Sequence, residues 1–145
     1  MPLAGEIIVA GQIPGERIAT AIATSDSATI TTTETVVMTV VAPVVVGRTY
    51  RVTFDAAFDP DALDDTHVAR IREDSVTGAP IQVRRMVVAL GNNLQPINSE
   101  TEYTAVATED KTFVLTFVRS SGTGGIIMNA SAGGPTFLYV DYIRG

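Results

Sequence analysis

The sequence predicts an all-β protein: an antiparallel β-sandwich, jelly-roll-like, with about eight strands and an extended N-terminal arm. The composition favours strands, because the β-branched types threonine and valine account for 19 and 18 of the 145 residues. Apolar and polar residues alternate over several short stretches, and glycine and proline separate these stretches. A chain of this length suits one domain.

Two stretches carry the clearest alternation and predict the two strands at the centre of the core. In residues 48–58 every second residue is apolar, and residues 112–118 place large apolar side chains at alternate positions in the same way. Glycine-containing turns then separate two further strands, near 126–128 and 137–143, and residues 101–107 predict a strand that offers Tyr103 to the core. The residues predicted to face the core from the first two stretches are Tyr50, Val52, Phe54, Ala56, Phe58, Phe113, Leu115 and Phe117.

The strand predicted at residues 81–90 is irregular. Its apolar residues change parity partway along: Ile81 and Val83 share one parity, and Met86, Val88 and Leu90 have the other. A regular strand would bury one set and expose the other, whereas one extra residue reverses the faces. We therefore predict a β-bulge at Arg84 and Arg85.

The first 26 residues differ from the rest and predict an arm. Glycine and proline interrupt every long strand or helix, yet the segment is too apolar for a solvated tail. We assign residues 1–26 to an arm that contacts a neighbouring subunit and residues 27–145 to the sandwich, which begins with a polar edge strand at 27–33. The alternatives are an N-terminal strand laid on its own domain and two helical turns over residues 16–23. The predicted interface residues of the arm are Ile7, Ile8, Val9, Ile13 and Ile18.

An acidic loop follows the strand at 48–58. Asp59, Asp61, Asp64 and Asp65 crowd the sequence FDPDALDDTH, and close carboxylates are the ligands of hard cations such as Ca²⁺. The spacing lacks the glycine and glutamate of an EF-hand loop. The alternative is a solvated loop whose aspartates cap turns, and on that interpretation no metal is bound.

Catalytic chemistry has little support in the sequence. His67 is the only histidine and no nucleophile turn lies beside it, so we expect it to be a half-exposed residue at the start of a strand. The glycine-rich SSGTGG sequence lacks the GK[ST] ending of a phosphate-binding loop. The sequence therefore predicts a protein that is not an enzyme, with no catalytic residue and no cofactor.

Four arginines occur in the middle of the chain, on two predicted strands. Their spacing suggests neighbouring outward faces, which could bind an acidic partner. Ion pairs with Glu73, Asp74 or Glu102 are the commoner outcome, so we predict a surface ladder. The four arginines are Arg70, Arg72, Arg84 and Arg85.

Charge and hydropathy exclude two classes of partner. The formal net charge of -6 opposes binding to a nucleic-acid backbone, which requires concentrated lysine and arginine. The longest apolar run, residues 36–46, is far shorter than the ~20 residues that cross a bilayer. We expect no nucleic-acid partner and no membrane partner.

Four stretches of residues 27–145 resemble a recurrent module in virion proteins of tailed phages that infect actinobacteria. They are SATITTTETVVMTVVAPVVVGRTYRVTF, VARIREDSVTGAPIQ, TAVATEDKTFVLTFVRSSGTGG and FLYVDYIRG. The resemblance implies a β-sandwich without catalytic residues, made in the host cytoplasm and located on the capsid surface of the virion. It implies a capsid decoration protein that binds the major capsid protein of the assembled shell as a homotrimer and stabilises it.

Two other functions stay open at the level of the sequence. The resembling module also occurs in minor tail and tail-fibre proteins, so a head that contacts the host surface is the alternative function. Brevity favours the capsid, since the chain contains no shaft. A carbohydrate-processing or carbohydrate-binding enzyme module belongs to a different class, and it is disfavoured by the absence of tryptophan and the scarcity of predicted exposed aromatic residues.

Overall fold

The structure is a computed structural model that describes residues 13–89 and 94–145. These residues contain nine strands and no helix that is long and apolar enough to cross a membrane. The strands are β1 (Arg17–Ala23), β2 (Thr35–Val44), β3 (Thr49–Pro60), β4 (Thr66–Glu73), β5 (Pro80–Val87), β6 (Gln95–Thr104), β7 (Glu109–Ser121), β8 (Ile126–Asn129) and β9 (Thr136–Arg144).

The strands form two antiparallel sheets that pack face to face. The first sheet has the order β1-β9-β3-β6, and β8 pairs with the far end of β3 beyond β9. The second sheet has the order β2-β7-β4-β5. Apart from the β4–β5 pair, neighbours in each sheet are not consecutive in sequence, as in jelly rolls, where the chain crosses repeatedly between the sheets. The predicted antiparallel, jelly-roll-like β-sandwich is confirmed.

The core lies between β3 and β7, the central strands of the two sheets. The alternation predicted for both strands is confirmed, because the eight residues expected to face the core are all buried. Aromatic side chains cross the space between the sheets: the ring centroids of Phe58 and Phe117 lie 6.4 Å apart, and those of Tyr103 and Phe113 lie 5.1 Å apart. Tyr103 therefore reaches the core from β6, as predicted.

The N-terminal boundary differs from the prediction. Arg17–Ala23 is neither arm nor helix; it forms β1, which pairs with β9 at the edge of the first sheet. Residues 27–33 contribute only one bridge, between Ile30 and Ile126. Alternate alanines of β1 face the core. Their small side chains allow this edge strand to pack closely on the core while it pairs with β9. The sandwich thus begins at residue 17, and the part of the predicted arm before residue 13 lies outside the described residues.

The irregularity in β5 occurs earlier than predicted. Ile71 pairs with Gln82 and Arg72 pairs with Pro80, so the extra residue is Ile81, and the register through Arg84 and Arg85 is continuous. The predicted bulge position is therefore wrong. A bulge at Ile81 still brings Ile81 and Met86 toward the core, because the faces reverse there.

Candidate functional site

The sandwich has two ends whose loops differ in character. At one end lie residues 13–16, the β2–β3 loop at 45–48, the β4–β5 loop at 74–79 and the β6–β7 loop at 105–108; we call this the apolar end. At the other end lie the β3–β4 loop at 61–65 and the β7–β8 loop at 122–125, which we call the aspartate end.

Two loops of the apolar end are held together by backbone hydrogen bonds. The amide of Gly47 donates to the carbonyl of Ala105 at 2.8 Å, and the amide of Ala105 donates to the carbonyl of Arg48 at 2.9 Å. The Val46 amide also donates to the Thr108 hydroxyl at 3.1 Å. Because these bonds join the loops at several points, the apolar end is a fixed surface.

Valine side chains project from these joined loops. Val46 is 57% exposed and Val106 is 81% exposed, and Val45 beside them is partly exposed. Gly47 at the turn has φ of +82°, a conformation that glycine adopts without strain. Isolated exposed apolar residues are ordinary, but three exposed valines on two hydrogen-bonded loops offer apolar area that a partner could cover.

An ion cluster forms the rim of the apolar end. The ammonium of Lys111, the only lysine, lies 2.9 Å from Glu73, 3.0 Å from Asp74 and 3.7 Å from Glu109. Burial alone would lower the pKa of Lys111, but its hydrogen bonds to Glu73 and Asp74 outweigh burial and the pKa is raised. Three carboxylates surround one ammonium, so the rim is acidic.

The aspartates of the opposite end bind the backbone of the same chain. Asp65 is buried, and its carboxylate accepts hydrogen bonds from the amides of Thr123 at 2.9 Å and Gly124 at 2.7 Å. The carboxylate of Asp61 accepts from the amide of Gly125 at 2.6 Å. These bonds fix the glycine-rich turn, so the interpretation of turn-capping aspartates describes Asp61 and Asp65.

The described residues offer no metal centre at the aspartate end. Across 13–89 and 94–145, no three histidine or acidic side chains group together as ligands would. The amides of the glycine-rich turn already occupy Asp61 and Asp65, whose oxygens a cation would require.

His67 is fully buried, so the prediction of a half-exposed residue is wrong. Its position in β4 shares the parity of Ala69 and Ile71, both of which face the core. Neither ring nitrogen has a hydrogen-bond partner within the described part of the chain. Burial lowers the pKa of His67, and the effect of Arg119 is in the same direction, although Asp65 opposes both. The ring therefore packs as a neutral core residue.

The predicted arginine ladder has different partners from those expected. Arg70 and Arg72 both bind Glu34, at 3.0 and 2.7 Å, and the Thr116 hydroxyl donates to the same carboxylate at 2.5 Å. Burial alone would raise the pKa of Glu34, but hydrogen bonds from Arg72 and Thr116 outweigh it and the pKa is lowered. This cluster attaches the loop before β2 to the outer face of the second sheet.

The remaining two arginines lie on β5. The guanidinium of Arg84 donates to the hydroxyl of Ser99 at 2.8 Å, which joins the edges of the two sheets. Arg85 pairs with Val68 in the sheet register. Neither residue takes part in the cluster around Glu34.

The structure separates the residues predicted for the arm interface. Ile7, Ile8 and Val9 lie outside the described residues. Ile13 is 51% exposed and belongs to the apolar end, where the neighbouring Gly15 amide donates to the Tyr142 carbonyl at 2.6 Å. Ile18 is partly buried and packs against the core of its own chain.

The sequence did not reveal the valines of the apolar end as surface residues. Val45 and Val46 belong to a continuous apolar run in the sequence, and only the glycine that follows marks a turn. Val106 occurs in a short alternation of apolar and polar residues that predicts a strand at 101–107. The strand boundaries decide their exposure, since β2 ends at Val44 and β6 ends at Thr104.

Comparisons with known proteins give weak similarities. No family model and no curated protein matches the chain. Among solved structures, a mutant VP2 protein of infectious bursal disease virus has a TM-score of 0.48 at 10% identity, covering 89% of this chain and 36% of that chain. A VP2 subviral particle of the same virus has a TM-score of 0.44 at 12% identity, covering 88% and 38%.

A third similarity is to a structure described as "CBM4 structure and function". Its TM-score is 0.31 at 13% identity, and it covers 86% of this chain and 89% of that chain. The chain spans little more than a third of the VP2 chains. TM-scores below 0.5 at these identities assign no function, so the functional argument rests on the chain itself.

Proposed function

We propose that the protein is a structural protein of a tailed-phage virion, a capsid decoration protein that binds the assembled major capsid shell as a homotrimer and stabilises it. The resemblance of residues 27–145 to a virion module supports this function. The structural observation that carries it is the apolar end, where Val45, Val46 and Val106 project from two loops that are fixed to each other.

The apolar end supplies the binding free energy in this proposal. Complete burial of a valine side chain contributes about 1.5–3 kcal/mol, and these three side chains start from partial exposure. A single end therefore yields only a few kcal/mol before the cost of association. Three copies joined in a trimer bind the shell together, and the effective concentration of the second and third contacts makes a weak surface sufficient.

The acidic rim determines orientation on the shell. Glu73, Asp74 and Glu109 surround Lys111 beside the valines, so a basic rim on the major capsid protein complements them. Rim charges chiefly change the rate of association and its dependence on salt. Binding should accordingly become slower as the ionic strength rises.

The N-terminal segment provides a second contact. Ile13 is exposed at the apolar end, and Ile7, Ile8 and Val9 precede it in the sequence, so we assign the second contact to this segment. Deletion of residues 2–12 should abolish or strongly weaken attachment to shells, whereas circular dichroism should still report a folded sandwich because β1 is retained. Full attachment of the deleted protein would restrict the interface to the sandwich.

The location on the virion tests the proposed function. Cryo-EM of virions that carry this protein with a C-terminal tag should show density at regular threefold or quasi-threefold positions over the capsid. Density at the tail tip alone would contradict decoration and favour the minor tail or tail-fibre alternative. Regular density without threefold symmetry would keep decoration and exclude the trimer.

A further inference from the structure

The outer face of the first sheet contains a cavity of about 340 Å³, away from both ends of the sandwich. Cross-strand register sets its residues side by side: Thr53 pairs with Glu100 and with Tyr139, and Asp55 pairs with Asn98. The guanidinium of Arg84 borders the cavity from β5. The side chains that matter for recognition are Thr53, Asp55, Arg84, Asn98, Glu100 and Tyr139.

Several polar groups of this cavity are unused. Neither the carboxylate of Asp55 nor the amide of Asn98 makes a side-chain hydrogen bond to any described residue, and Glu100 makes only a 3.7 Å ion pair with Arg51. The Thr53 hydroxyl at the floor is buried and also lacks a partner in the described chain. A buried hydroxyl without a hydrogen-bond partner is unfavourable. A ligand that forms a hydrogen bond with the Thr53 hydroxyl would remove this cost, which favours its binding.

The aromatic ring of the cavity has a fixed orientation. The guanidinium of Arg17 lies 3.6 Å from the Tyr139 ring centroid, and Asp141 holds that guanidinium at 2.9 Å. Arg17 therefore covers one face of the ring, and Tyr139 also lines the cavity. A flat ring beside free carboxylate and amide groups offers both an apolar platform and hydrogen-bond partners.

The charge pattern of the cavity excludes several kinds of ligand. Asp55 and Glu100 repel an anion, and Arg84 repels a metal cation. The polar lining disfavours a purely apolar molecule, which would leave the free groups without water or partner. A neutral ligand with many hydroxyl groups satisfies these conditions, because each hydroxyl both donates and accepts.

We propose that this cavity is a carbohydrate-binding site for one or two sugar units. Asp55 and Asn98 would bond adjacent hydroxyls, and the part of the Tyr139 ring that lines the cavity would contact the C–H groups of the sugar. The volume is near the lower end of the range of about 300–1,000 Å³ for small-molecule pockets, which limits the ligand to a small sugar. The site is separate from the apolar end and does not depend on the proposed capsid role.

Saturation-transfer difference NMR on the full chain tests the site. The probes are the methyl pyranosides of glucose, galactose and mannose, with N-acetylglucosamine and methyl arabinofuranoside. At least one of these sugars should show saturation transfer from the protein, and titration of the protein with that sugar should give a measurable Kd. Asp55→Ala and Asn98→Ala should each raise that Kd by roughly tenfold, the equivalent of one good hydrogen bond.

Matched controls make the result interpretable. Glu102 lies on β6, as Asn98 does, but outside the cavity. Glu102→Gln should therefore leave the Kd for the sugar within about twofold of the native value. Circular dichroism and the melting temperature should be unchanged in Asp55→Ala and Asn98→Ala, since Asp55 and Asn98 are exposed.

Three results would overturn the carbohydrate site. They are no saturation of any of the five sugars, equal binding by the cavity variants and the native chain, or binding of N-acetylarginine methylamide in place of the sugars. The last result would make the cavity a site for a basic side chain. Loss of shell attachment in apolar-end variants would leave sugar binding intact, so the two proposals fail separately.

Discussion

At the aspartate end of the sandwich, polar side chains bind the backbone of the same chain, whereas at the apolar end valine side chains extend into solvent. Asp61 and Asp65 are both bonded to the turn at 122–125. The side chains of Val46 and Val106 are exposed among the described residues, although backbone hydrogen bonds join their two loops. Hydrogen bonds join two loops at each end, so the difference lies in which side chains remain exposed to a partner.

The comparison separates stability from interaction. A loop whose polar groups are paired internally contributes to the free energy of unfolding and offers little to a ligand. A loop that exposes apolar side chains contributes little to folding and gains free energy when a partner covers them. Substitutions at the two ends should therefore affect different measurements.

The largest expected effect comes from Asp65→Ala. The substitution removes the acceptor for the Thr123 and Gly124 amides, and it should lower the free energy of unfolding by about 3 kcal/mol. Urea denaturation measures this change. Asp59→Ala, at an exposed position near the end of β3, should change the free energy of unfolding by less than about 0.5 kcal/mol. Equal effects at both positions would mean that the loop acts through its charge.

Gly122→Ala should destabilise by about 2–3 kcal/mol. Gly122 has φ of +102°, and an added Cβ would lie 1.7 Å from a carboxylate oxygen of Asp65. Gly133→Ala is the matched control, because nothing lies within 4 Å of the position of its added Cβ. Thermal unfolding compares the two; similar melting temperatures would contradict the tight contact between Asp65 and the turn.

Glu34→Gln should lower the free energy of unfolding by about 2 kcal/mol at neutral pH, since it weakens charged hydrogen bonds to Arg70 and Arg72. The pKa of Glu34 is lowered in the folded chain, so its contribution is present above its ordinary pKa and is lost as the pH falls through the folded value. The difference between native and Glu34→Gln proteins should be constant above about pH 5 and shrink below it. A difference that is independent of pH would contradict the ion cluster.

The smallest expected effect on folding comes from the apolar end. Val46→Asp and Val106→Asp place a charge on exposed side chains, and each should change the free energy of unfolding by less than about 0.5 kcal/mol. Urea denaturation measures this as well. A large loss of stability would mean that these valines pack within their own chain.

The sequence predicted the fold because the central strands follow a strict alternation. Residues 48–58 and 112–118 each place large apolar groups on one face, and no other structure buries such a pattern as well. It offered an N-terminal strand only as an alternative to the arm, because the strand conformation of the small residues in Arg17–Ala23 depends on pairing with β9. The bulge in β5 was predicted two residues too late, at a position that would have buried Val83, whereas the observed bulge at Ile81 leaves Val83 exposed.

The candidate sites were harder to predict than the fold. The partner of Arg70 and Arg72 is Glu34, which precedes them by more than thirty residues and reaches them only after the chain crosses between sheets. The acidic loop signalled a possible metal, and only the pairing of its aspartates with the distant glycine-rich turn gives Asp65 its structural role. Exposure of Val106 depends on where β6 ends, which local pattern does not fix.

The most direct test of the account is attachment of the double variant Val46→Asp/Val106→Asp to purified shells, measured by co-sedimentation. Val87→Asp is the matched control, because Val87 is 65% exposed near the aspartate end. The account predicts that the double variant folds with an unchanged melting temperature and loses shell binding, while Val87→Asp binds as the native protein does. Native-level binding by the folded double variant would contradict the assignment of the apolar end as the contact surface.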